Sequence, residues 1–399
     1  MYNTSDYLRR GSTFIANNLF SGTRLSTLMF YATDICDSRC KHCLIWAKRP
    51  TKSLPLEKII QVMQSKCVTK HTNVGLEGGE FLLHKDAFSI LAWFQKNHPK
   101  YDLLTNCLQP DLVVEAVEKF PPKRLYISLD GNKETYAYMR GRDGYDSVLE
   151  VILKTRHLVP ISVMFTLSPY NDFEDMKHVA EVCKKYDIDL RIGIYNNIQL
   201  FDTQEKAHET NIGQKKNEAV LTLKELMAAD LGEEVKLKKE QEKEDLPNPK
   251  HQICGEFSNF KDNIPEIIKE FKENYDFLVL YDEWRQKQLS LKCFSIMDSL
   301  VIHPNGDVPI CQNLDTKLGN IYDNTLDAIL NDEGTKNIRH DHRENCNQCW
   351  INFHRKYDVV LYRSFEKFFG KGVTSKVFGY YQWEADNKMT YEKYISEVK

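Results

Sequence analysis

Short apolar runs alternate with amphipathic stretches along the first half of the chain. The runs Ser26–Asp34, Asn73–Glu77, Tyr101–Thr105, Arg124–Asp130, Ile161–Ser168 and Leu190–Tyr195 are bounded by polar and turn-forming residues, which predicts six buried strands. Helical spacing predicts helices over about 55–66, 84–97, 111–119, 145–157 and 172–186. Pro55 suits the first turn of the first helix, and Pro99 stops the second. Six strand–helix alternations predict an α/β fold with a parallel sheet and helices outside. Alternation alone does not separate a barrel from an open sheet. In either case the C-terminal strand ends carry the chemistry.

The pattern then changes. Lys, Glu and Gln dominate 214–245, and Pro247 and Pro249 close the stretch, so residues 201–290 read as a charged helical linker or insert. Within it, 264–290 has the spacing of an amphipathic helix. Leu300–Cys311 reads as a hairpin turning at Asn305-Gly306, and a helix follows over about 325–331. Residues 1–25 form a short lead-in, too few for a separate peptide-binding domain. The tail 353–399 mixes basic and aromatic residues, among them Arg355, Phe368 and Phe369. Packing against the barrel is the expectation there, with docking on a membrane surface, a lipid-linked glycan or a partner as the alternative. No internal repeat or low-complexity tract interrupts the chain.

Composition narrows the classes. A length of 399 residues allows one large domain and a smaller one. A net charge of −3 gives no global attraction to nucleic acid. No apolar run reaches the length of a transmembrane segment, and the polar start Met1-Tyr-Asn-Thr-Ser-Asp6 is not a signal peptide. The expected location is therefore cytoplasmic, where the eleven cysteines are reduced thiols available to metal.

Seven of those cysteines fall into two sets. Cys36, Cys40 and Cys43 form a Cys-x3-Cys-x2-Cys run on the loop after the first strand. Soft thiolates suit iron–sulfur clusters or zinc. Three of them can hold three irons of a [4Fe–4S] cube and leave the fourth open to a small chelating molecule. Zinc is the competing reading, although structural zinc favours four protein ligands. The second set is Cys293, Cys311, Cys346 and Cys349, for which a zinc site with four cysteine ligands is again the competitor. Cys67, Cys107, Cys183 and Cys254 are scattered and read as ordinary buried thiols.

The first spacing resembles the signature of the radical S-adenosylmethionine (radical SAM) superfamily. Gly78-Gly79-Glu80-Phe81 at the end of the second strand resembles that family's Gly-Gly-Glu-Pro element, with Phe81 in place of proline. Leu104-Thr105-Asn106 resembles its Thr-Asn-Gly element, with Cys107 where glycine is frequent. The resemblance implies a partial (β/α)6 TIM-like barrel over 26–200, with a [4Fe–4S] cluster and S-adenosylmethionine at its mouth. It implies that Gly78, Gly79, Glu80, Asn106, Ser128 and Arg140 contact the cofactor. Arg140 suits its carboxylate because the guanidinium fork pairs bidentately. Asp130 is a catalytic candidate that could orient substrate or take a proton, with turn-capping as the alternative.

The order of the second cysteine set resembles the small α+β twitch or SPASM auxiliary-cluster domain, here over 291–352. That implies a second [4Fe–4S] cluster with every corner filled by thiolate, suited to accepting or relaying an electron. The expected activity is an oxidoreductase that cleaves S-adenosylmethionine to a 5′-deoxyadenosyl radical and takes hydrogen from a substrate. The expected substrate is a sugar or small metabolite, with radical maturation of a peptide or protein as the alternative. A non-catalytic metal-binding module is the third class. An electron donor such as flavodoxin or ferredoxin is the implied partner.

Overall fold

The computed structural model describes residues 4–19, 23–195 except 44, 49 and 169, 261–285, 291–352 except 315, 347 and 348, and scattered positions between 355 and 374. The expected linker at 201–250 and most of the expected tail lie outside the described residues. Helix α1 covers Thr4–Leu19. Strands β1 (Thr27–Tyr31), β2 (Asn73–Glu77), β3 (Tyr101–Thr105), β4 (Arg124–Ser128), β5 (Ile161–Leu167) and β6 (Asp189–Ile194) follow in sequence. Between them lie α2 (Leu56–Met63), α3 (Ala87–Asn97), α4 (Pro110–Lys119), α5 (Lys133–Arg140), α6 (Tyr145–Thr155) and α7 (Phe173–Tyr186). Every neighbouring pair is parallel, and the order β6-β5-β4-β3-β2-β1-β7 ends on a seventh strand, β7 (Ser299–Ile302). The sheet is a partial barrel with its helices outside.

Two side-chain faces explain the architecture. Residues alternate across a strand. Leu28, Phe30, Val74, Leu76, Leu103, Leu125, Ile127, Val163 and Ile192 are fully buried in the main hydrophobic core. Their alternates, including Met29, Tyr31, Gly75, Glu77, Tyr126, Ser128, Met164 and Gly193, line an internal cavity. An apolar outer face thus holds the helices, and a mixed inner face is left for a ligand.

The hairpin expectation for Leu300–Cys311 requires correction. Ser299–Ile302 is buried throughout, and it pairs with β1 in parallel register and forms no ladder with Asp307–Pro309, although His303 N donates to Asp307 O at 2.9 Å across the turn. A short apolar run of this kind is stable inside a sheet covered on both faces. The antiparallel pair is instead β8 (Asp307–Pro309) with β9 (Lys317–Asn320). The tight turn at Gly306 survives, with Gly306 N donating to His303 O at 2.9 Å.

The opposite edge of the sheet is also closed. The region expected as one helix over 264–290 is a short 3-10 turn, Glu266–Glu270, and then α8 (Lys272–Arg285). Asn274 of α8 donates to Leu190 O at 2.6 Å and accepts from Ile192 N at 3.1 Å. Asn352 donates to Ile192 O. The exposed backbone of edge strand β6 is thereby answered by side chains. Phe277 and Trp284 of α8 both stack on the fully buried Trp350, at 5.6 and 5.8 Å.

The lead-in is a helix with a docking contact. Arg10 of α1 donates to Ser295 at 2.8 Å and pairs with Asp298 at 3.0 Å, both on the short helix α9 (Ser295–Asp298). Phe14 meets Phe294 edge-on at 5.5 Å. Helices α10 (Leu326–Asn331) and α11 (Glu333–Asn345) complete the C-terminal unit. No helix among the described residues is long and apolar enough to cross a membrane.

Candidate active site

The cysteine loop follows β1 and is fixed from three other places, two through backbone and one through a side chain. Gly79 N donates to Thr33 O at 2.7 Å, and Glu80 N to Ile35 O at 2.8 Å. These bonds explain the paired glycines. A Cβ on Gly78 would lie 2.4 Å from Thr33 O, and one on Gly79 2.3 Å from Ile35 O. Gly78 also has φ +152°, a region that side chains disfavour. The missing Cβ atoms therefore let the end of β2 lie against the cysteine loop itself.

The C-terminus of α5 supplies the second anchor. Arg39 N donates to Arg140 O and Lys41 N to Met139 O, both at 2.8 Å. Gly141, at φ +62°, lets the helix stop there; a Cβ would meet Arg39 O at 2.7 Å. Helix α5 was not expected from sequence, because it is short and polar. Asn132 starts it by accepting from Glu134 N and Thr135 N.

The end of β3 is the third anchor. The Asn106 side chain donates to Asp37 at 2.8 Å and lies 3.9 Å from Cys36 Sγ. Glu80 accepts from Asn106 N at 2.7 Å and from the Thr105 hydroxyl at 3.3 Å. Burial pushes the Glu80 carboxyl up to about 7, against the pull of these donors. Cys107 takes φ +61°, the left-handed conformation that glycine tolerates best.

The loop opens into a cavity of about 350 Å³. Cys36, Cys40, Cys43, Gly78, Gly79, Glu80, Asn106, Ser128 and Arg140 all line it. Asp130 does not. Its Oδ2 accepts from the Arg140 guanidinium, and its Oδ1 accepts from Thr166 N at 2.9 Å. Asp130 is fully buried, so the expectation that it meets substrate is corrected: it is placed to hold Arg140. Burial opposes the Arg140 charge, but Asp130, Cys40 and Tyr136 outweigh that and keep it firmly protonated. Arg140 Nη1 stands 3.7 Å from Cys40 Sγ, and the Ser38 hydroxyl 3.1 Å.

The thiols suit a metal. Burial, reinforced by Cys40, raises Cys36 well above its usual value and Cys43 to about 12. Deprotonating such thiols calls for added positive charge, which iron supplies. The second set also converges. Cys293, Cys311, Cys346 and Cys349 line one small pocket with Ile296, Ile310, Leu314, Asn313 and His342. The fully buried Arg355 cradles its backbone, donating to Leu291 O at 2.7 Å, Cys349 O at 3.1 Å and Cys346 O at 3.2 Å. Among the described residues no three His, Cys, Asp or Glu side chains are arranged to hold a single metal ion.

Some lining residues were missed from sequence. His42 lies between two motif cysteines and lines the cavity, where burial lowers it to about 4. Its position inside the motif was the available signal. Glu77, Tyr31 and Arg191 were readable only as strand residues. Gln312 and Asn352 reach the cavity from the C-terminal unit, with no local signal.

A family model of the radical SAM superfamily matches residues 30–183, and one of an iron–sulfur cluster-binding domain, SPASM, matches 293–350. No curated protein matches the chain. Among solved structures it is similar to Streptococcus suis SuiB bound to S-adenosylmethionine. That match has 14% identity over 79% of this chain and 68% of that one, with a TM-score of 0.51. A second SuiB structure gives 15%, 85%, 74% and 0.51. The enzyme anSMEcpe with bound AdoMet and Cp18Cys peptide gives 14%, 89%, 99% and 0.48. At these identities the likeness shows the fold. The two family matches cover both cysteine sets, and the chain belongs to the radical SAM superfamily, as an enzyme that binds S-adenosylmethionine at a [4Fe–4S] cluster and carries a SPASM-type auxiliary-cluster domain.

Proposed function

We propose that the protein modifies an amino-acid side chain within a peptide or protein, with Cys36, Cys40 and Cys43 holding the first cluster and the SPASM cysteines the second. The observation that carries this reading is the form of the cavity. It follows β1 from Thr27 to Tyr31 on its inner face, about 13 Å at the rise of a strand, and reaches the C-terminal unit at Gln312, Ile351 and Asn352. A slot of that depth suits one extended side chain whose backbone stays at the seam between the two units.

Bound S-adenosylmethionine supplies the radical that removes hydrogen from substrate. The chain's own residues do the rest. Arg140, kept charged by Asp130, presents a fixed donor at the cavity wall beside Cys40. Ser128 and the backbone at Gly78 and Gly79 offer polar groups to the methionyl and ribosyl ends. The small SPASM pocket suits electron uptake or relay, and a flavodoxin or ferredoxin is the proposed donor. A sugar or small metabolite is the second reading. It is favoured by the polar floor of the lumen, where Asn73, Asp102, Lys123 and Arg191 gather.

The test uses the anaerobically reconstituted, reduced enzyme. It is given S-adenosylmethionine with peptides from a fully deuterated protein digest, or with fully deuterated monosaccharides. Deuterium in 5′-deoxyadenosine from the peptides supports the proposal. Deuterium from the sugars alone overturns it.

A further inference from the structure

One acidic side chain of the lumen is left without a partner. Glu77 ends β2 on the inner face, opposite Tyr31 of β1. It leans over Gly75, where a Cβ would stand 3.4 Å from Glu77 Oε1. Among the described residues no hydrogen bond or ion pair reaches its carboxylate. The neighbouring groups are engaged elsewhere. Gln312 Nε2 donates to the Tyr31 hydroxyl at 2.7 Å, and Asn73 donates to Asp102 at 2.5 Å. Arg124 and Arg191 face Asp189, at 3.6 and 2.8 Å. The charge that acts most on Glu77 is another carboxylate, Asp102. An acid in the lumen wall whose strongest charge neighbour is another carboxylate is costly unless something answers it. Here that acid opens onto a cavity.

We infer that Glu77 anchors a cationic group of the substrate, the ammonium or guanidinium of a side chain reaching into the lumen past Gln312. This deepens the peptide reading and rests on it for the side chain, though not for the cation. The Tyr31–Gln312 pair forms one wall of the subsite and joins the barrel to the auxiliary domain. Glu77 is thus a specificity residue: it selects a lysine- or arginine-like group over a neutral one of equal length.

Binding to the reconstituted holoprotein with S-adenosylmethionine tests this by calorimetry at pH 9, where Glu77 is ionised and the amines remain cationic, with N-acetyl-lysine methylamide, its norleucine counterpart, n-pentylamine and n-pentanol as probes. A charged hydrogen bond predicts that each cationic probe binds about 10-fold more tightly than its neutral partner. E77Q keeps the shape and loses the charge, so the preference should fall to about 2-fold or less while S-adenosylmethionine affinity is unchanged. Equal binding of cationic and neutral probes by the wild type overturns the inference, and needs no variant. A preference that survives in E77Q overturns it too. If pentylamine shows a Glu77-dependent preference while deuterated peptides give no label, the cation site stands and the peptide reading falls. Peptide labelling without any charge preference has the opposite meaning.

Discussion

The two cysteine sites differ in how the chain builds them. The first is one eight-residue loop, Cys36–Cys43, whose backbone is held by the end of α5 and whose approach, at Thr33 and Ile35, is held by the end of β2. It opens onto about 350 Å³ of cavity. The second gathers four thiols from positions 293, 311, 346 and 349 into a pocket of about 10 Å³. An open site next to mixed polar groups can admit a cofactor and a substrate. A pocket that small, with Asn313 and His342 beside its four thiols, has no comparable room for either, and suits electron transfer. The difference also marks what each tolerates: the loop depends on glycine backbone packed at close range, the pocket on Arg355 and on elements far apart in sequence.

The largest expected effect breaks the open site directly. Alanine at Cys36, Cys40 or Cys43 should abolish formation of 5′-deoxyadenosine, and normal cleavage by any of the three would reject the assignment. G79A comes next, because the new Cβ would press on Ile35 O, which is backbone and cannot rotate away. Iron at the first site should fall sharply while the SPASM iron is retained, as read by iron analysis and Mössbauer spectra. In C346A the reverse is expected: uncoupled cleavage of S-adenosylmethionine persists and product stops. Unchanged turnover in that variant would remove the electron-transfer role.

Smaller effects sharpen the contrast inside the barrel. D130N leaves the buried Arg140 without its counter-charge, and breaking such a pair costs about 3–5 kcal/mol. Denaturant unfolding should show that loss at neutral pH. Glu77 gives the mildest effect. Burial, then Asp102, holds its carboxyl up at about 8, above the unfolded value. The stabilising proton is fully present below the unfolded pKa and is lost as pH rises through about 8. E77Q should therefore match the wild type near pH 5 and melt several degrees higher near pH 9. An identical difference at both pH values would show that Glu77 does not titrate in this way.

Particular elements show how far the residues could be read in advance. β2 and β3 run over 73–77 and 101–105, as their apolar runs predict, because a short buried run between turn residues has few alternatives. α5 is not legible in the sequence because its eight residues are too few to show a helical period, and its start depends on a side-chain cap at Asn132. β7 was misplaced because a local turn at Asn305-Gly306 suggested a hairpin, whereas the vacant edge of β1, about 270 residues earlier, offered better burial. Asp130 was placed at the mouth by its position at a strand end. Nothing local showed that Arg140, ten residues on, would claim it.

By itself the sequence determined the alternating α/β core and the crowding of three thiols onto one loop, because period and spacing are local properties. Only the tertiary structure decided that paired glycines serve the cysteine loop, that β7 and Asn274 close the two edges of the sheet, and that Glu77 faces the lumen unmatched. Each of those depends on which distant backbone or charge arrives beside a residue, and burial sets the energy of that meeting.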